Sequence, residues 1–153
     1  MTHEERFAQL KLTLPPAPKP VATYLTAVRY NDLLYVSGHG PLRDDGTMHT
    51  GRLGDDLDVT AGQAAAKQVG LAILATVRSH LGTLDRVVRL IKVLGMVNST
   101  PEFGEQPKVI NGFSDLMVDV FGEAGKGARS AVGMGALPGN IAVEIEAIFQ
   151  VKD

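Results

Sequence analysis

The run Val87 to Val97, VVRLIKVLGMV, constrains this chain more than any other stretch. Read as a strand, it is apolar at both alternations, the pattern of a strand covered on both faces. Asn98 to Pro101 stops it. Two helices are available to do the covering. In the first, Thr60 is the predicted cap and Gln63 completes a capping box. Ala65, Val69, Ala72, Ile73, Thr76 and Val77 line one face at helical spacing, and Gly82 is placed to end it. The second covers about Pro107 to Phe121, with a proline at its opening. Val109, Phe113, Leu116, Met117 and Val120 face inward, and Gly122 is the stop. Two helices cannot cover two faces of one sheet evenly. They pack on one face, and the other apolar face calls for further copies in a closed homo-oligomer.

The remaining elements complete an α+β order, β-β-α-β-α-β-β, around a mixed sheet. Residues 1–20 form a lead segment, in which Glu4 to Lys11 can make a short helix before Pro15, Pro16, Pro18 and Pro20 force an extended path. Residues 21–153 read as a single domain. Val21 to Tyr30 is a strand, Asn31-Asp32 a tight turn and Leu33 to Gly38 the returning strand. Gly40 to Asp58 is a polar loop, and Gly125 to Gly127 is a flexible one. Arg129 begins an apolar strand, Leu137-Pro138-Gly139-Asn140 turns, and a last strand carries Glu144 among Val143, Ile145 and Ala147.

Composition removes several classes of function. With 153 residues the chain is long enough for one real core, and 44% of it is hydrophobic. It has no cysteine, which excludes disulfides, thiolate zinc sites and a cysteine nucleophile. Its net charge of -2 offers nucleic acid no attraction. His3, His39, His49 and His80 are scattered without metal-ligand spacing, so no metal is expected. No apolar run can span a bilayer and no signal-like core opens the chain, so it reads as soluble and cytoplasmic. The loop Gly122 to Gly127, GEAGKG, lacks the phosphate-loop spacing and the Ser or Thr that should follow its lysine. It reads as a helix end instead.

The remaining chemistry is a guanidinium and a carboxylate, expected on neighbouring strands. Arg129 sits among Ala128, Ser130, Ala131 and Val132, where a planar fork can grip a carboxylate with two hydrogen bonds. The simpler reading is a surface arginine paired with an acid. Glu144 can steer a water; the simpler reading makes Glu144 and Glu146 the solvent face of an edge strand. Ser37-Gly38-His39-Gly40 reads as structural glycines after a strand.

The closing stretch, ARSAVGMGALPGNIAVEIEAIF, resembles the signature of the RidA/YjgF family of enamine/imine deaminases, also labelled endoribonuclease L-PSP. Tyr24, Ser37-Gly38 and Asn111 match in order, and the likeness runs from Val21 to Lys152. The resemblance implies a chorismate-mutase-like fold in a homotrimeric barrel, with clefts between subunits. It implies that Arg129 takes the carboxylate, that Glu144 positions water, and that Tyr24, Ser37, Gly38 and Asn111 line the pocket. The implied reaction is hydrolysis of a reactive 2-imino acid to a 2-keto acid and ammonia, with no cofactor. The sequence departs from the family pattern at Ala131, where a cysteine is common, and at Ala22-Thr23, where proline and glycine are common. The segments Arg43 to Asp58 and Pro101 to Gln106 are longer than usual. A non-catalytic small-carboxylate-binding or regulatory trimer is the alternative from another class. RNA cleavage is opposed by the acidic balance and by the lack of a basic aromatic surface.

Overall fold

The computed structural model describes residues 1–153. In chain order the elements are α1 (His3–Gln9), β1 (Ala27–Tyr30), β2 (Leu33–His39), α2 (Val59–Leu81), β3 (Val87–Asn98), α3 (Gln106–Phe121), β4 (Ala128–Met134) and β5 (Val143–Val151). They form one five-stranded sheet in the order β1-β2-β5-β3-β4. β3 and β4 are parallel, joined through α3, and every other pair is antiparallel. This is the α+β, mixed-sheet architecture expected.

β5 shows how alternation builds it. Val143, Ile145, Ala147, Phe149 and Val151 are all buried, while Glu144, Glu146, Ile148 and Gln150 alternate onto the opposite face. The buried set meets α2 and α3, which lie side by side on that one face. All six α2 residues and all five α3 residues read as inward from spacing are buried. The helices approach closely because residue 112 is glycine: a Cβ there would run into the backbone carbonyl of Gln63 on α2. α1 lies at the end of α3, where Phe7 joins the core and Glu4 pairs with Arg78 at 2.5 Å.

The other sheet face has no cover from this chain. Val28, Tyr30, Tyr35 and Val132 are exposed there. A shallow depression of ≈ 390 Å³ lies between Tyr35, Ser37, Lys92, Leu94, Glu146 and Ile148. β3 is therefore covered on its helix face only.

Several local expectations are corrected. The first strand begins at Ala27, because residues 21–24 bend after the proline-rich segment before the chain meets β2 through Thr26. Asp58, not Thr60, caps α2: its carboxylate accepts the Ala61 N–H at 2.8 Å. Gln63 reaches across instead and donates to the Lys108 carbonyl at 2.9 Å. Gly82, with φ 83°, ends the helix as expected, and Pro107 sits in the first turn of α3. The GEAGKG loop is ordered as a 3-10 turn with Gly125 buried against α3, and Lys126 pairs with Glu123 at 2.8 Å.

Candidate functional site

β4 is an edge strand, and its register sets Arg129 opposite Val93 on the helix-covered face. The guanidinium turns to α3. Nη1 donates to Asn111 Oδ1 at 2.9 Å and to Ser114 Oγ at 3.1 Å, and Nη2 reaches the Pro107 carbonyl at 3.4 Å. All three acceptors are neutral. None of the chain's ion pairs involves Arg129, so the surface-pair reading fails. A cavity of ≈ 190 Å³ opens beside it, lined in part by Ser114, Val118 and Gly127. The family resemblance named Asn111 but not Ser114, which lies three residues on and so shares its helix face.

Glu144 stands on the open face, opposite Met96. β5 is the middle strand of the sheet, so the edge-strand reading of Glu144 also fails. The pairing of β2 with β5 slips between Val36 and His39, which makes a bulge at Ser37-Gly38. The bulge brings Gly38 against the carboxylate: a Cβ on Gly38 would lie 2.7 Å from Glu144 Oε2. Burial, and then the neighbouring Glu146 charge, push the Glu144 carboxyl above its usual range, with no hydrogen bond to offset them.

His39 secures the bulge from behind. Its Nδ1 lies 2.6 Å from the Ser37 carbonyl and its Nε2 lies 2.7 Å from Thr76 Oγ1. A carbonyl only accepts, so Nδ1 carries the proton. Burial holds His39 below the ordinary histidine pKa, which keeps that ring neutral. Ser37 Oγ donates to the Leu25 carbonyl at 2.5 Å, and its N–H donates to the Thr26 carbonyl at 2.9 Å. Sequence reasoning named Ser37 and Gly38 but gave His39 no role. Its signal is a histidine directly after Ser-Gly at a strand end.

The candidate residues thus fall into two groups, Arg129 with Asn111 and Glu144 with Ser37 and Gly38. The expectation that Arg129 and Glu144 lie on neighbouring strands is corrected. β3 runs between β4 and β5, and the two side chains leave the sheet on opposite faces. Their register positions on β3, Val93 and Met96, are about 10 Å apart along the strand. Tyr24 sits exposed in the bend before β1 and hydrogen-bonds to neither group. No three His, Asp or Glu side chains converge as metal ligands, and no helix is long and apolar enough to cross a membrane.

An α+β sheet backed by helices on one face, with an acid-free arginine at its edge and a half-buried glutamate on its open face, defines a recognisable class. Residues 4–148 match the family described as "YjgF/chorismate mutase-like, putative endoribonuclease", and the chain belongs to that family. It is 44% identical over 146 residues to Protein TCP17 of Trypanosoma cruzi, covering 95% of this chain and 91% of that one. It is 28% identical over 142 residues to a 2-iminobutanoate/2-iminopropanoate deaminase of Dermatophagoides farinae, covering 92% of this chain and 95% of that one. Among solved structures, the Agrobacterium tumefaciens protein Atu1372 superposes with a TM-score of 0.90 at 44% identity, covering 99% of this chain and 94% of that one.

Proposed function

We propose that this protein hydrolyses reactive 2-imino or enamine acids to 2-keto acids and ammonia, in clefts between the subunits of a homotrimer. The observation that carries this reading is the state of Arg129. Its guanidinium is held in place by Asn111, Ser114 and the Pro107 carbonyl, and no acid neutralises it. A cation so oriented suits a small carboxylate, and the deaminase relative of Dermatophagoides farinae acts, by its name, on substrates of that class.

The chemistry asks little beyond position and charge. A 2-iminium carboxylate is already electrophilic at the imine carbon. Arg129 would hold the carboxylate and fix that carbon. Such orientation contributes about 7–11 kcal/mol in the most favourable cases. Glu144 would hold a water and accept its proton as oxygen attacks carbon. Glu144 returns that proton to the amine nitrogen of the tetrahedral adduct, the C–N bond breaks with loss of ammonia, and the hydroxyl proton passes to the carboxylate, leaving the 2-keto acid. Water supplies the oxygen, and electrons balance without a redox partner.

Opposite faces of one sheet cannot deliver both groups to one substrate. The shared-cleft arrangement answers this by pairing Arg129 of one copy with Glu144 of the next, around the uncovered sheet face. Tyr24, Ser37 and Gly38 would line the Glu144 side, and Asn111 the Arg129 side. The test is release of ammonia and keto acid from 2-iminopropanoate generated in situ, together with calorimetric binding of pyruvate. Wild-type turnover that disappears in an Arg129→Ala trimer supports the proposal. Pyruvate binding without turnover would replace it with a carboxylate-binding role, and full turnover in Arg129→Ala would end it.

A further inference from the structure

Two loop segments, Arg43 to Asp58 and Pro101 to Gln106, border a single cavity. Leu53 N–H donates to the Asn98 carbonyl at 2.8 Å, and Thr100 N–H donates to the Leu53 carbonyl at 3.0 Å. Beside this seam, where parallel β3 and β4 both end, lies a cavity of ≈ 350 Å³. Arg52, Ser99, Thr100, Gln106, Gly133 and Gly135 line most of it.

Arg52 gives the cavity its sign. Nη2 donates to the carbonyls of Ser99 and Gly135, at 3.2 Å each, while Nε is buried without an acceptor. No ion pair neutralises this guanidinium. Of the neighbouring acids, Asp56 accepts the Arg52 backbone N–H at 2.6 Å and Glu105 pairs with Lys108 at 2.7 Å, while Asp55 and Glu102 form no ion pair with Arg52. Gly133 keeps the floor open, since a Cβ there would lie 2.7 Å from Ser99 Oγ and 2.9 Å from Gln106 Nε2. Gln106 Nε2 donates to the Phe103 carbonyl at 2.8 Å and reaches Ser99 Oγ only at 3.4 Å, so its second N–H can exchange that bond for a stronger acceptor.

We propose that this cavity is a second anion site, taking a carboxylate or phosphate group on Arg52, with the Thr100 hydroxyl and the Gln106 amide as further donors. It is separate from the Arg129 site. The cavity beside Arg129 and this one share no lining residue. The inference does not rest on the deaminase reading.

The test is an NMR titration of the ¹⁵N-labelled full chain with inorganic phosphate and, separately, with propionate. The reporters are Arg52 Nε–H, the Gln106 side-chain amide and the backbone amides of Gly133 and Gly135. Saturable shifts at these positions, unchanged in Arg129→Ala and weakened about tenfold in Gln106→Leu, support the site. Whichever anion saturates identifies the headgroup. Arg52→Met can loosen the loop it ties down, so Gln106→Leu is the deciding variant. Shifts that stay linear, that are lost in Arg129→Ala, or that survive Gln106→Leu at full affinity would overturn the proposal.

Discussion

At position 38 the absence of a side chain sets where Glu144 can be. Any Cβ at that bulge competes with Oε2 for the same space. Gly38→Ala should displace the carboxylate and lower turnover while leaving pyruvate binding at Arg129 intact, as steady-state kinetics beside calorimetry would show. Glu144 also has a cost that pH reveals. Its folded pKa is raised, so the folded state resists ionising it. The penalty is fully present above the folded pKa and absent below the unfolded one. Glu144→Gln should therefore melt higher than wild type near neutral pH. The gap should close as pH falls through the carboxyl range, while kcat drops at every pH. His39 carries the opposite sign. Its folded pKa is depressed, so its contribution to stability is present above the ordinary histidine pKa and is lost as pH falls toward the folded value. His39→Gln should flatten that loss in thermal melts across the acidic range.

Among the elements, what was legible in the sequence was periodic and local. The α3 face from Val109 to Val120 and the β5 alternation from Val143 to Ala147 are where the pattern put them, because one buried face imposes one period. What was not legible was pairing between distant segments. Nothing near Glu144 says that β3 will lie between its strand and that of Arg129, since sheet order is settled by core packing and the α3 crossover. Asp58 displaced Thr60 for a subtler reason. Both are good caps, and the chain is still extended at Asp58 and already helical at Thr60. Arg52 stood alone in a glycine-rich loop with no pattern to announce it. Asp58→Ala should cost about 1 kcal/mol of stability. Gly112→Ala should cost more, about 1–3 kcal/mol, because overpacking against the Gln63 carbonyl outweighs the gain in helix propensity. Urea unfolding of both variants would check this ranking.

For the whole molecule, the uncovered face is the dominant fact. Val28, Tyr30, Tyr35 and Val132 stand exposed on a sheet whose opposite side packs against α2 and α3. A trimer closed around that face is the account's expectation, and sedimentation equilibrium should return three chains per particle. Putting Arg129 and Glu144 on opposite faces makes the stronger claim, that each site draws on two copies. Mixing denatured Arg129→Ala and Glu144→Gln chains in equal amounts and refolding them together tests it directly. If one copy supplies the arginine and its neighbour the glutamate, random assortment rebuilds about one quarter of the sites, and activity returns to about that fraction of wild type. If the mixture stays as inactive as either parent, the two residues do not meet across a subunit boundary and the shared site is wrong.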